Sequence, residues 1–242
     1  MKFSISSVLV CILSILFLFI GSVQAAEYKA SLANMPVYAE SPEKGVLVDL
    51  AKAMAKVSGV PISIVVEPFA RSIHNVTQAK TADFHMPLIV PPGGDPKDLD
   101  YSTAVIHHVN FVLYTNKDSK VTRDNLNQFN IETDNAHIAY ITEKTTGSAS
   151  LENSLKKVNA GRLDGFIFAD FACDPILKAL DLKNVKRTMY KRFDSNFVLP
   201  EGGKGGPVDK FLTETLNKLK ANGEFARILD PINTEFDPWQ MQ

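Results

Sequence analysis

The protein is a chain of 242 residues that carries a formal net charge of −1. This length is sufficient for one large domain or for two small lobes. The near-neutral charge provides no electrostatic footprint for phosphate groups, which argues against a nucleic-acid partner.

The first 25 residues have the pattern of a secretory signal peptide. A lysine near the start precedes an almost wholly apolar run at residues 8–20, and small residues surround a cleavage point after Ala25 or Ala26. The apolar run is shorter than the roughly 20 residues that a membrane-spanning helix requires. We therefore predict export of a mature chain in which Cys173 is the single cysteine, so that no intrachain disulfide can form.

The first half of the mature chain alternates between strand and helix patterns. Period-two alternation and β-branched residues indicate strands, whereas apolar residues at spacings of three and four indicate helices. These patterns predict strands at residues 28–34, 62–66 and 84–90, separated by helices at 47–57 and 69–76. This order is typical of a mostly parallel α/β sheet, in which ligands bind outside the carboxyl ends of the strands.

The second half of the chain continues this mixture of elements. The patterns predict, in order, a strand at 105–115, an extended segment at 131–141, a helix at 151–158, a strand at 163–169, a helix that begins at Asp174-Pro175, strands at 185–190 and 193–199, and a helix at 211–219. The strand at 105–115 is long enough to leave one lobe and to enter another.

Four candidate ligand-binding residues surround the carboxyl end of the second predicted strand. Glu67, Phe69, Arg71 and His85 are expected to gather around one crevice mouth. Arg71 could present a permanent cation to an anionic ligand group, or could be a solvated partner of Glu67. Phe69, Tyr38 and Tyr101 could stack on a flat ligand or pack in the core, and only Phe69 is retained as a candidate.

Two further candidates lie in the second half of the chain. Asp170 follows a predicted strand and could accept a hydrogen bond from a ligand, cap the next helix, or do both. Ser148 precedes a helix whose N–H groups could bind an anion, although simple capping is the commoner role. His107 and His108 do not form a metal site, because neighbouring strand residues point to opposite faces. The sequence contains no metal or phosphate motif, so neither a metal nor a cofactor is predicted.

Several short motifs occur in an order that is typical of one protein family. Residues 45–50 are G-V-L-V-D-L, residues 68–71 are P-F-A-R and residues 161–165 are G-R-L-D-G, with Asp170 six residues beyond Asp164. In this order the motifs resemble family 3 of the bacterial periplasmic solute-binding proteins, which are the polar-amino-acid-binding components of ABC transporters. The resemblance implies an α/β, two-lobed type II periplasmic-binding-protein fold with two crossover strands.

The resemblance also implies a division of the chain into two lobes. Residues 1–25 are the signal peptide, residues 26–115 and 195–242 form lobe 1, and residues 116–194 form a smaller lobe 2. The hinge is expected in the crossover strands, near residues 114–118 and 191–197. Arg71 of lobe 1 and Asp170 of lobe 2 are the pair expected to hold the ligand.

By the same resemblance, the protein captures a small polar molecule in the periplasm and delivers it to an inner-membrane ABC permease or a sensor protein. It is expected to be a monomer without enzymatic activity. The family uses an arginine to clamp the α-carboxylate of amino acids, and Asp95 lies near that position here. A carboxylate cannot replace a guanidinium group, so a standard α-amino acid is not the predicted ligand.

Two alternatives remain open at the level of the sequence. One is a sensory ligand-binding module that works without a permease. The other is a periplasmic dehydratase or lyase on the same fold, in which Glu67 or Asp170 acts as an acid or base.

Overall fold

The computed structural model describes residues 27–93 and 98–242. The predicted signal peptide and Asp95 therefore lie outside the described residues. No helix within these two ranges is both long enough and apolar enough to cross a membrane.

The described ranges contain strands, α-helices and short 3-10 helices. The strands are β1 (Tyr28–Ala33), β2 (Ile62–Glu67), β3 (Phe84–Ile89), β4 (Leu99–Asn116), β5 (Ile131–Asp134), β6 (Thr146–Ser148), β7 (Gly165–Ala169) and β8 (Val185–Pro200). The α-helices are α1 (Val46–Ser58), α2 (Phe69–Thr77), α3 (Leu151–Asn159), α4 (Asp170–Ala179), α5 (Pro207–Ala221) and α6 (Glu224–Leu229). The 3-10 helices are Arg123–Gln128 and Asn135–Tyr140.

These strands form one sheet in the order β2-β1-β3-β8-β4-β7-β5-β6. At one end of the sheet β1 pairs in parallel with β2 and β3, and at the other end β5 pairs in parallel with β6 and β7. The long strands β4 and β8 pair antiparallel through the centre. The α/β class with two crossover strands, predicted from the sequence, is therefore confirmed.

Each end of the sheet has its own hydrophobic core. The first core packs residues of α1, α5 and α6 against β1 and β3, whereas the second end has two clusters built on β4, β7 and β8. Along β4 the side chains pass from the first core at Ile106 to the second end at Val109. The lobe boundaries at residues 115/116 and 194/195 remain a prediction.

Helix α1 shows how the sequence specifies an element of the first core. Leu47, Leu50 and Met54, which share one helix face, are fully buried. Burial of such side chains contributes roughly 1.5–3 kcal/mol each. The helix ends at Gly59, whose φ of 72° is a left-handed conformation that glycine adopts without strain from a Cβ atom.

Two sequence predictions in the second half are corrected by the structure. The segment 131–141 is extended only as far as Asp134, because the Asp134 side chain accepts a hydrogen bond from the N–H of Ala136 and begins a 3-10 helix. Helix α4 begins at Asp170 rather than at Asp174. Pro175 lies in the middle of this helix of 10 residues, where it lacks a backbone N–H donor but does not end the helix.

A third correction concerns the strands predicted at residues 185–190 and 193–199. They are one continuous strand, β8. The charged residues Lys191 and Arg192 interrupt the apolar pattern, but the backbone continues the ladder, since they pair with Phe111 and Asn110 of β4.

The C-terminal segment after α6 passes from the first end of the sheet to the second. Asn233 accepts a hydrogen bond from the backbone N–H of His108 at 3.0 Å. Farther along, Trp239 lies over the guanidinium group of Arg187, with 4.1 Å between the guanidinium carbon and the ring centroid. This segment therefore connects the two ends of the sheet in addition to β4 and β8.

Candidate functional site

A cleft of about 460 Å³ lies between the two ends of the sheet. We use "the cleft" for the space lined by Met35, Tyr38, Phe69, Pro87, Leu88, Ile89, His107, Val109, Phe111, Ala136, His137, Phe168, Ala169, Phe171, Ala172 and Ser195. Both ends of the sheet and both crossover strands contribute to this lining. The volume is ordinary for a small-molecule site, and a molecule in the cleft would contact both ends.

Aromatic rings form much of the cleft wall. Tyr38 of the first end lies 5.6 Å from Phe171 of the second end and 5.5 Å from His107 of β4, measured between ring centroids. Deeper in the second end, Phe168 lies 5.4 Å from Phe111 and 5.0 Å from His137. These spacings are those of interacting rings, so the walls present flat apolar faces.

His107 lies in the centre of β4 and is 1% exposed. Neither of its ring nitrogens has a hydrogen-bond partner among the groups that the structure describes. Burial, and secondarily the neighbouring His108, lower the pKa of His107 to about 4. The imidazole is therefore neutral at pH 7, with one N–H donor and one acceptor nitrogen.

The other polar groups of the lining are already engaged or neutral. His137 Nδ1 lies 2.9 Å from Asp134 Oδ1, so any charge on this ring is balanced by an adjacent carboxylate. Burial raises the pKa of the Tyr38 phenol above its ordinary value, which keeps this group neutral. Among the lining residues there is no Asp, Glu, Lys or Arg.

Tyr38 reaches the cleft on the loop between β1 and α1. The backbone N–H of Leu47 donates to the carbonyl of Tyr38 at 2.8 Å, which docks this loop onto the start of α1. Gly45 allows the approach: its φ is 139°, and a Cβ atom there would lie 2.5 Å from the Tyr38 carbonyl oxygen. The glycine of the G-V-L-V-D-L motif therefore positions a cleft residue.

Replacing Gly45 by alanine is expected to lower the free energy of unfolding by about 2–3 kcal/mol, because the new Cβ atom meets backbone in a strained conformation. Gly59→Ala is the matched control, since Gly59 also has a positive φ but nothing lies within 4 Å of a Cβ built there. The control should lose about 1 kcal/mol. Urea unfolding measures both changes, and equal losses would contradict the close packing at Gly45.

Of the residues predicted from the first half of the chain, Phe69 lines the cleft and His85 lies behind it. The rings of Phe69 and His85 are 5.5 Å apart and perpendicular. His85 is fully buried, with Nδ1 2.7 Å from the Ser72 hydroxyl and Nε2 3.1 Å from the Pro87 carbonyl. Burial lowers the pKa of His85 to about 4. His85 thus supports the cleft wall from behind Phe69, within the first end of the sheet.

Arg71 and Glu67 lie near Phe69 but are not among the residues that line the cleft. The Arg71 side chain is 67% exposed, and its Nε atom is 3.9 Å from Glu67 Oε2. The same carboxylate oxygen accepts a hydrogen bond from Asn75 at 3.2 Å. An exposed pair at this distance contributes little to stability.

Asp170 and Ser148 also lie outside the lining of the cleft. Asp170 is half-buried at the start of α4 and accepts hydrogen bonds from Asn110 Nδ2 at 3.1 Å and from the Phe171 N–H at 2.7 Å. Burial raises the pKa of its carboxyl group. Ser148 ends the edge strand β6, where its hydroxyl bonds to Ser154 at 2.8 Å. The structure therefore does not bring the six candidates together around one space.

Several lining residues were not selected from the sequence. The sequence favours a core position for Tyr38, and it suggests only a metal-binding role for His107, which the opposite orientation of His108 excludes. No motif in the sequence singles out Phe111, Phe168 or Phe171. The spacing of His107, Val109 and Phe111 could have identified three of these residues. They occupy alternate positions of β4, so their side chains lie on the same face of this crossover strand.

Solved structures share this arrangement at low sequence identity. The GluR0 ligand-binding core in complex with L-glutamate superposes with a TM-score of 0.63 at 14% identity, covering 87% of this chain and 100% of that chain. A histidine kinase sensor domain with similarity to periplasmic binding proteins gives a TM-score of 0.61 at 15% identity, covering 85% and 95%. A putative binding component of an ABC transporter from Wolinella succinogenes, complexed with lysine, gives 0.60 at 16% identity, covering 86% and 96%.

This chain has a periplasmic-binding-protein fold. The type II fold that the sequence motifs indicated is thereby confirmed. No family model matches the sequence, and no curated protein matches it either. Among the described residues, no group of three or more His, Cys, Asp or Glu side chains could hold a metal ion.

Proposed function

We propose that the protein is a periplasmic solute-binding protein that captures a small molecule in the cleft and presents it to an inner-membrane ABC transporter. The observation that carries this proposal is the position of the cleft between the two ends of the sheet, where both ends and both crossover strands line it. A ligand there contacts both lobes, so its binding favours a closed arrangement. The mature protein acts as a monomer in this proposal and performs no chemistry on the ligand.

Arg71 and Asp170 lie at the margin of the cleft, where they would contact a charged ligand. Arg71 is exposed on α2, two residues after Phe69, and Asp170 lies between Ala169 and Phe171, which both line the cleft. Hinge bending in β4 and β8 would change the distance between these two side chains. Their contribution is measured by the loss of affinity in Arg71→Ala and Asp170→Asn.

A sensory module is the second candidate function. It is favoured by the likeness to a histidine kinase sensor domain, at a TM-score of 0.61. The two functions use the same cleft and differ only in the partner protein that recognises the closed, ligand-bound form. Deletion of the gene separates them, since loss of uptake supports transport, whereas unchanged uptake with an altered transcriptional response supports sensing.

Thermal unfolding of the purified protein against a panel of compounds tests the binding function. The panel contains amino acids, amines, small carboxylates, sugars, phosphonates and neutral aromatic compounds. A ligand at 100 times its dissociation constant stabilises the folded state by about 2.7 kcal/mol, which is an easily measured shift. We expect at least one class to produce such a shift.

The variant Ala136→Trp is expected to abolish that shift, because Ala136 lines the cleft and a tryptophan side chain would fill part of the space. Ala139→Trp is the matched control: it lies on the same short 3-10 helix, is exposed and is not among the lining residues. It should retain the full shift. A shift that survives in Ala136→Trp would place binding elsewhere and contradict the proposal.

A further inference from the structure

We infer that the ligand of the cleft is a neutral, largely apolar molecule with a flat ring and a single hydrogen-bonding group that pairs with His107. This inference rests on the proposed function, since it specifies the class of molecule that the binding protein captures. It departs from the polar ligand that the sequence resemblance implied.

The first argument is the absence of charge in the lining described here. A zwitterionic amino acid would place a carboxylate and an ammonium group in the cleft, where no Asp, Glu, Lys or Arg side chain lines the wall. Burying an ion without a partner is strongly unfavourable. His137 does not fill this role, because its Nδ1 atom already pairs with Asp134 at 2.9 Å.

The second argument is the shape of the walls. Tyr38 and Phe171 approach each other from opposite ends of the sheet, and Phe69, Phe111 and Phe168 add further ring faces. Aromatic rings prefer offset or edge-to-face contact with other rings, which a flat ligand provides and a flexible aliphatic chain does not. A cleft with aromatic walls therefore favours a ligand that contains a flat ring.

The third argument is His107, whose two ring nitrogens are the buried polar atoms without a partner in the described lining of the cleft. It is 1% exposed, lines the cleft, and has no hydrogen-bond partner for either ring nitrogen among the described groups. A buried polar group without a partner destabilises the folded protein, and nearly all such groups in proteins are satisfied. A ligand hydroxyl, amide or ring N–H would supply the missing bond and give the apolar cleft its specificity.

Calorimetric titration with matched probes tests this inference. Indole and 4-ethylphenol are neutral rings with one hydrogen-bonding group, and L-tryptophan and L-tyrosine carry comparable rings on zwitterions. We expect the neutral probes to bind at least about tenfold more tightly than the zwitterions, because only the zwitterions bring unpaired charges into the cleft.

Two comparisons isolate the bond to His107. In the wild-type protein, 1-methylindole, which has no N–H donor, should bind about tenfold more weakly than indole, the ordinary loss for one hydrogen bond. His107→Leu should weaken indole binding by the same factor and leave 1-methylindole unchanged. The first comparison needs no variant, so it remains valid if the substitution disturbs folding. Equal affinity for the two indoles would overturn the assignment of His107.

The outcomes separate the ligand class from the binding function. If L-arginine or L-glutamate binds more tightly than indole, and Ala136→Trp abolishes that binding, the protein is a binding protein for charged ligands and our inference is wrong. A loss of the same affinity in Arg71→Ala would then identify the charged contact. If the neutral rings do not bind but another class of the full panel does, the inference fails and the proposed function stands. If no compound of the full panel binds, or if binding persists in Ala136→Trp, the proposed function fails together with the inference.

Discussion

Replacing Arg187 by alanine is expected to lower the free energy of unfolding by about 3–5 kcal/mol, the typical loss when one member of a buried ion pair is removed. The Arg187 side chain is 1% exposed, and its partner Asp174 is 15% exposed. Nε and Nη2 donate to the two carboxylate oxygens at 2.8 and 2.5 Å, which is a bidentate pairing. Removing the guanidinium group would leave the Asp174 carboxylate without this partner in a poorly solvated place.

The same arginine holds the C-terminal segment against the second end of the sheet. Its Nη1 atom donates to the carbonyl groups of Asp237 and Trp239 at 2.9 and 2.8 Å, and the Trp239 ring stacks on the guanidinium group. We therefore expect Arg187→Ala to release this segment and to make it sensitive to proteases under native conditions. Urea unfolding gives the stability change, and limited proteolysis followed by mass spectrometry gives the cleavage sites.

Lys156→Ala provides the control for this experiment. Lys156 pairs with Glu152 on the surface of α3, and both side chains are about half exposed, at 49% and 51%. An exposed pair of this kind contributes at most about 1 kcal/mol. A loss in Arg187→Ala that is no larger than the loss in the control would show that the buried pair does not anchor the segment.

Much of the fold follows from local patterns in the sequence, because those patterns are also the ones that decide burial. The apolar stripe of α1 and the β-branched run of β2 each have a period that matches one type of element. The predicted element boundaries are wrong where a single side chain changes the hydrogen bonding of the backbone. The Asp134 carboxylate caps a 3-10 helix within a stretch whose apolar content favours a strand. Pro175, which is typical of a helix start, is accommodated inside α4.

The cleft was harder to predict than the fold, because it depends on which residues of distant segments meet. The motif positions indicate the ends of β2 and β7, and they identify Phe69. They do not identify Phe171, because the sequence predicts that its helix begins four residues beyond Asp170. In the sequence His107 is marked only by its neighbour His108, because burial without a hydrogen-bond partner is a property that no local pattern reveals.

Acidification from pH 6.5 to pH 4 is expected to destabilise the protein through His85 and His107, by roughly 3 kcal/mol for each histidine. Burial lowers the pKa of both side chains to about 4, from 6.5 in the unfolded chain. Between these two pH values the unfolded chain binds protons that the folded protein does not bind. Stability is therefore complete above pH 6.5, and it is lost as the pH falls towards 4.

Carboxyl groups also gain protons as the pH falls, among them Asp170, whose pKa is raised by burial, so the measurement is a difference between proteins. The His107→Leu variant should be at least as stable as the wild type at pH 7, because leucine removes a buried polar group without a partner. Its advantage in the free energy of unfolding should then grow by roughly 3 kcal/mol as the pH falls to 4. Urea unfolding at a series of pH values gives both quantities.

Val109→Ala is the control for this pH series, since Val109 lines the cleft two residues farther along β4 and has no titratable group. It should lower stability by a similar amount at every pH, because it removes apolar contacts without changing proton binding. A pH-independent difference between the wild type and His107→Leu would mean that His107 accepts a proton in the folded protein. The pKa of His107 would then equal that of the unfolded chain, so the cleft would present a cation below about pH 6.5, and the argument for a neutral ligand would fail at those pH values.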